Sequence, residues 1–345
     1  MTMQTMSDPQ TTSALETLFS GGSIDEAEAE ALFARLVAGE LEPPVIGATL
    51  VALRIKGETA AELTGAARAL RAAATAFPRP DYIFADSCGT GGDGSGTINV
   101  STAAAFVAAA AGLPVAKHGN RSVTSRCGSA DVLEQLGARL DLEPAQSRCV
   151  LDQSGFCFLF APSYHPAMRH AAAARKALKV RTMMNMLGPC LNPAAPPVQL
   201  LGVADPALLQ PVAATLAALG TAEALVVHGA GLDEVALHGE TQAVRVSNGC
   251  LQDMVLSPEE AGLVRTPLSA IGGGAPEENA SRLAALLDGK GNEAEAAIVA
   301  LNAGALLMTA RLAGTLKDGV ALASEMLASG QAGRRLRLFV EASRG

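Results

Sequence analysis

Residues 86 to 97 read DSCGTGGDGSGT, and within them Gly89, Gly91 and Gly94 satisfy the spacing G-x-G-x-x-G. Glycines at this density let backbone N–H groups approach the oxygens of an anion with no side chain in the way. Two common ligands of such a loop are excluded by the residues downstream of it. A dinucleotide site needs an acidic residue about twenty positions on to hold the ribose hydroxyl, and no acid occurs between Asp93 and Asp131. A Walker-type loop ends in Gly-Lys-Ser/Thr, which is missing here. The same stretch carries Lys117, Arg121 and Arg126, positive charge in a chain of formal net charge −8.

Asn99, Ser101 and Thr102 stand where a helix should begin, so its N-terminal dipole and their polar side chains add to an anion cradle. The segment KHGNRSVTS (117–125) supplies cations and further donors. Two facing loops, one glycine-rich and one basic, suit a ligand with several phosphates.

These loops need a frame. Ser23 with Glu26 three residues on marks a helix start ahead of Leu32, Phe33, Leu36 and Val37 at helical spacing. Helical patterns follow at 43–54 and 58–76, and Pro78-Arg-Pro80 ends this opening. Beyond it, strands are expected at 82–85, 115–117, 156–161, 198–203 and 224–228, with EVALHG and AVRVSN as a more polar strand pair. Helices are expected at 101–111 and 129–136, and residues 162–189 return to a helical pattern. Strands alternating with helices predict an α/β sheet whose loops carry the function at the strand carboxyl ends.

Length and composition agree with that frame. A chain of 345 residues, 49% apolar and 17% charged, is expected to form two unequal globular domains. Its negative charge gives no general attraction for nucleic acid or an anionic membrane. Six cysteines without a C-x-x-C pair, and no basic residue before Arg35, predict a reduced cytoplasmic setting. The longest apolar run, 103–116, is too short to span a bilayer and contains Gly112 and Pro114.

Taken in order, GTGGDG (89–94) with Asn99, Ser101 and Thr102, then KHGNRSVTS and GSADVLEQLG (117–125, 128–137), FAPSYHPAM (160–168), the RT, LGP and NPA of 181–194, and GLDEVAL (231–237) resemble the anthranilate phosphoribosyltransferases of tryptophan biosynthesis. The resemblance is collinear from about residue 24 to the carboxyl terminus. It implies a transfer of phosphoribose from 5-phosphoribosyl 1-pyrophosphate (PRPP) to the amine of anthranilate, with Mg2+. It also implies a small all-helical domain (1–78 plus about 165–192) hinged to a larger α/β domain (79–164 plus about 193–345) with a central, mostly parallel sheet. A homodimer joined through the helical parts is expected with it.

By the same resemblance, PRPP is expected at Gly89, Gly92, Asp93, Thr97, Asn99, Val100, Ser101, Thr102, Lys117, His118, Gly119, Asn120, Arg121, Ser122, Val123, Thr124, Ser125 and Ser129. Ser101, Asp233 and Glu234 are expected to hold magnesium, whose preference is for hard oxygen ligands. Gly89, Asn120 and Arg175 are expected around anthranilate, Arg175 as a fork on its carboxylate. Lys117 would stabilise the leaving diphosphate and His118 would orient the amine. Cys88, Cys127, Cys190 and Lys179 depart from the family pattern, Lys179 by standing where a glycine is common.

A pyrimidine nucleoside phosphorylase of the same fold is the nearest rival. Its phosphate loop would not be followed by KHGNR, and it has no use for Asn120 and Arg175. A nucleic-acid-binding relative would need a surplus of lysine and arginine that this chain lacks. No attached amidotransferase domain is expected in a chain of this length.

Overall fold

The computed structural model of the protein describes residues 9–122 and 126–345. Four helices open it: α1 Pro9–Phe19, α2 Glu26–Ala38, α3 Pro43–Lys56 and α4 Ala60–Ala72. The start of α2 is capped by Asp25, which accepts from the Glu28 N–H while Glu28 reaches back to the Asp25 N–H, so the capping pair sits two residues beyond the expected Ser23 and Glu26. At α4 the cap is Thr59 with Glu62, and that fully buried carboxylate also meets Lys56 at 2.7 Å and the Ile24 N–H at 3.1 Å. One buried acid thus joins the α3–α4 corner to the entry of α2.

The sheet runs β3-β2-β1-β4-β5-β6-β7 among the described residues. Its parallel part is β1 Ala85–Gly89, β2 Val115–Gly119, β3 Phe156–Phe160, β4 Val198–Gly202 and β5 Glu223–Gly229; β6 Thr241–Ser247 and β7 Cys250–Leu256 are antiparallel. The first strand is not the expected 82–85: Tyr82 and Ile83 are exposed, and pairing begins at Ala85. Its polar sequence ADSCG can be buried because Asp86 accepts from the Asn192 side chain at 2.9 Å and the His118 N–H at 3.3 Å. Nor does EVALHG form a strand. The antiparallel pair is β6 with β7, joined at Asn248 and Gly249, whose φ of 48° and 83° are those of a tight hairpin turn.

Between strands lie α5 Val100–Ala110, α6 Ser129–Gln135 and α7 Pro144–Ser154. The segment expected to be helical at 162–189 is broken into α8 Ala161–Tyr164, α9 Arg169–Leu178 and α10 Met183–Leu187. Helix α9 stops at Lys179, which takes a left-handed φ of 54° where a glycine would be at ease. After β4 comes α11 Leu209–Ala218, and the chain closes with α12 Pro276–Leu287, α13 Glu293–Thr309, α14 Leu316–Ala328 and α15 Gln331–Arg344.

Two apolar clusters result. One packs α5, α13, α14 and α15 on one face of the sheet. The other joins α2, α3, α4, α9, α10 and α11 to the opposite face through Leu201, Val226 and Val244. From β1 the chain moves outward to β2 and β3, then returns to β4 on the other side. The switch therefore falls between β1 and β4, and the crevice beyond their carboxyl ends is where parallel sheets seat ligands.

Candidate active site

A cleft of about 680 Å³ opens there, bounded by the glycine loop after β1, the basic loop after β2, the turn after β5 and the segment 161–191. All the described residues expected at the site line it: Gly89, Gly92, Asp93, Thr97, Asn99, Val100, Ser101, Thr102, Lys117, His118, Gly119, Asn120, Arg121, Ser122, Ser129, Arg175, Asp233 and Glu234. Val123, Thr124 and Ser125 lie outside the described residues.

Gly91, Gly92, Gly94 and Gly96 all take positive φ, a run that other residues would strain to follow. Asp93 folds inward on the loop and accepts from the Ser95 N–H at 3.0 Å and its hydroxyl at 2.9 Å. Two N–H donors, one of the glycine loop and one of the helix start, are engaged by the acidic pair. The Gly91 N–H meets Asp233 Oδ2 at 2.6 Å, and the Ser101 N–H at the start of α5 meets Glu234 Oε1 at 3.1 Å. The carboxylates thus rest on the anion cradle itself.

Behind the acidic pair stands Asn302 of α13, fully buried, which accepts from the Val235 N–H at 2.8 Å and donates to the Val235 carbonyl at 3.0 Å. Burial raises both carboxyl pKa values; the charge of Asp93 adds to the effect at Asp233, and the charge of Asp233 to that at Glu234. Crowded oxygens of this kind fit a divalent cation, which would relieve their repulsion. Among the described residues no three acidic, histidine or cysteine side chains form a ready-made cage, so the remaining ligands must come from hydroxyls, water or substrate. Ser101 is placed to contribute one: its Oγ lies 3.2 Å from Lys117 Nζ, beside Glu234.

Lys117 is buried and also donates to the Ser87 carbonyl, so its ammonium is anchored beneath the cradle. Arg121 is turned toward α6, where Glu134 takes both of its terminal nitrogens and Asp131 lies 3.6 Å away. Asp131 also accepts from the Ser122 and Gly128 N–H groups, at 3.0 and 2.8 Å, and so pins the two ends of the basic loop. The Asn120 side chain accepts from the Arg121 N–H within its own loop. His118 is buried with Nε2 unpartnered, and its ring packs edge-on against His165 at 5.1 Å between centroids. Burial lowers the pKa of His118 to about 3 and that of His165 to about 4, so both rings are neutral near pH 7.

The opposite wall is apolar and cationic. Met168, Met184, Pro189 and Leu191 give it a greasy surface, with Arg169, Arg175 and Arg181 around it. Arg175 is half-buried rather than an exposed helix charge, and burial lowers its pKa. His165, Arg181 and Asn302 are site residues that sequence reasoning did not single out. The first two sit inside recognisable runs, HPAM and RT, and could have been found there; Asn302 lies in an alanine-rich helix without any such signal.

A family model described as glycosyl transferase family, a/b domain, matches residues 81–333, and one described as the helical bundle domain of that family matches residues 12–74. The chain is 55% identical over 330 residues to the anthranilate phosphoribosyltransferase of Sorangium cellulosum, covering 96% of this chain and 95% of that one. The crystal structure of anthranilate phosphoribosyltransferase from Thermus thermophilus superposes with a TM-score of 0.92 at 46% identity, covering 96% of this chain and 99% of that one. The Saccharomyces cerevisiae enzyme in complex with PRPP and Mg superposes with a TM-score of 0.88 at 28% identity, over 98% and 99% of the two chains. Matching both domains and nearly the full length of these enzymes, the chain belongs to the anthranilate phosphoribosyltransferases of the glycosyl transferase family.

Proposed function

We propose that the cleft seats PRPP on its α/β side and anthranilate against its helical wall, and that the chain transfers the phosphoribosyl group between them in tryptophan biosynthesis. The observation that carries this reading is the meeting of a glycine loop, an anchored lysine and a paired carboxylate at one switch point, opposite an apolar wall with a half-buried arginine. The amine nitrogen forms a bond to C1 of the ribose while the C1–O bond breaks and its electron pair leaves with pyrophosphate. The amine then gives up a proton to water. An aromatic amine is neutral and nucleophilic at pH 7, so orientation and leaving-group stabilisation account for most of the rate.

Magnesium, held by Asp233, Glu234 and the Ser101 hydroxyl, would neutralise diphosphate charge as it develops. Lys117 adds a fixed positive charge under the same oxygens. Gly89, Gly92, Asp93, Thr97 and residues 99–102 wrap the diphosphate and ribose, and 117–122 with Ser129 close over them. Arg175 pairs with the anthranilate carboxylate beside Asn120 and Gly89, and neutral His118 orients the amine by hydrogen bonding. The Saccharomyces cerevisiae relative also has a structure in complex with 4-fluoroanthranilate, which supports a site for the aromatic substrate.

We take the helical unit, 1–78 with about 165–192, as the part that hinges over the α/β domain, and a cytoplasmic homodimer as the working form. Cys88, Cys149, Cys157, Cys190 and Cys250 are free thiols, which supports a reducing compartment, and no described helix is long and apolar enough to cross a membrane. The test is the loss of anthranilate fluorescence on mixing protein, PRPP, anthranilate and magnesium. Decay that requires every component is expected. No decay, with phosphorolysis of uridine or thymidine in its place, would overturn the substrate and leave the fold.

A further inference from the structure

The Arg181 guanidinium lies on the glycine loop. Its Nη2 donates to the Thr90 carbonyl at 3.3 Å, and a β-carbon at Gly92 would stand 1.7 Å from its Nη1. The backbone that carries it is fixed from both sides: the Arg181 carbonyl accepts from Arg54 of α3, and the next N–H, of Thr182, donates to Asn185 of α10 at 3.0 Å. Arg181 thus reaches from the helical wall across the cleft to the cradle. Among the described residues, one of its five N–H donors has an acceptor and no carboxylate lies within ion-pair distance. Two cations of the basic loop are engaged, Lys117 by Ser87 and Ser101 and Arg121 by Glu134.

We propose that Arg181 is a diphosphate-binding residue supplied by the helical side, its open edge forking onto the leaving group and coupling that contact to closure of the cleft. The proposal rests on the reading of the cleft as a PRPP site and deepens it. A planar guanidinium suits two phosphate oxygens at once, and charge-assisted bonds of this kind strengthen as the C1–O electron pair passes to pyrophosphate. It also explains Gly92 in a way that substrate approach alone does not: a side chain there would displace the guanidinium before it met any ligand.

The test compares Arg181→Gln and Arg181→Lys with the wild type in steady-state turnover and in competitive inhibition by pyrophosphate and by ribose 5-phosphate. Arg181→Gln is expected to weaken pyrophosphate inhibition and raise the PRPP KM by about 10- to 100-fold, and to leave ribose 5-phosphate inhibition within about twofold. Arg181→Lys keeps the charge and loses the fork, so it should fall between; if the Gln variant does not fold, the Lys variant alone should show the pyrophosphate-selective loss. Equal weakening by both inhibitors would mean a distorted loop and would overturn the proposal, as would unchanged pyrophosphate inhibition. A wild-type protein that turns over without pyrophosphate inhibition would overturn this contact alone; one that does not turn over PRPP and anthranilate would overturn the functional reading with it.

Discussion

A β-carbon on Gly202 would lie 1.6 Å from the backbone oxygen of Asp233. Gly202 ends β4 and pairs with Gly89 of β1, where a β-carbon would in turn lie 2.3 Å from the Asp233 carboxylate. The acidic turn therefore rests on two adjacent strand ends that have no side chains, and this seat sets the position of Asp233 over the cradle. Gly202→Ala should lift the turn, lower turnover by about 100-fold and raise the magnesium concentration needed for half-maximal rate. The accompanying overpacking should cost about 1–3 kcal/mol of stability. A magnesium titration and a thermal melt check it, and a wild-type titration curve would show that the seat does not position the proposed metal ligands.

The acidic pair itself should display a conflict between stability and function. Both carboxyl groups are pushed toward the neutral form by burial and by acidic neighbours, which is an unfavourable arrangement for the folded state without a cation. Asp233→Asn with Glu234→Gln keeps acceptors for the Gly91 and Ser101 N–H groups and removes the repulsion. The double variant should lose magnesium-dependent turnover yet gain about 1 kcal/mol of stability in metal-free buffer. Magnesium should raise the melting temperature of the wild type and leave that of the variant unchanged. Retained turnover across the titration would remove these residues from the metal site.

Much of this site was legible because its parts are contiguous. The spacing of GTGGDG, the lack of acids before Asp131 and the cations of KHGNR point to an anion cradle, and the strand-loop-helix alternation puts it at the strand carboxyl ends. The parts that stayed hidden depend on distant partners. The burial of Asp86 in β1 is possible because Asn192 meets it from another part of the chain, so a strand search by hydrophobicity settles on 82–85 instead. Gly202 and Asn302 acquire their roles only through the turn that packs on them. Asn248-Gly249 is different: it is a local hairpin signal, yet the strand after it, CLQDMVL, is an exposed edge whose apolar alternation is weak.

Arg175 offers the cleanest separation of the two substrates. It lies half-buried on the helical wall, and the burial that lowers its pKa also strengthens any pairing it makes with a carboxylate. Arg175→Ala should raise the anthranilate KM by about 10- to 100-fold, the loss expected for a charge-assisted fork, with the PRPP KM within about twofold of the wild type. Steady-state kinetics with each substrate varied in turn decides it. Equal damage to both constants would place Arg175 in a general structural role.

The paired rings of His118 and His165 should make the fold sensitive to mild acid. Both are buried, burial is the largest cause of each depressed pKa, and the rings face each other so that charging one opposes charging the other. In the unfolded chain a histidine takes up its proton near pH 6.5, whereas here the rings wait until about 3 and about 4. Between those limits the unfolded state binds more protons, so this contribution is complete above pH 6.5 and shrinks as the pH falls toward 4, by up to about 1.4 kcal/mol per pH unit for each histidine. Asp86, Asp233 and Glu234, whose pKa values are raised, act in the opposite sense, so the difference between two proteins carries the test. His165→Phe should keep the edge-on packing and lose one histidine's share of the slope. Urea unfolding at pH 7.0 and 5.0 should therefore show the variant losing about 1–2 kcal/mol less than the wild type over that interval. Equal losses would mean that His165 becomes protonated in the folded protein as readily as in the unfolded chain.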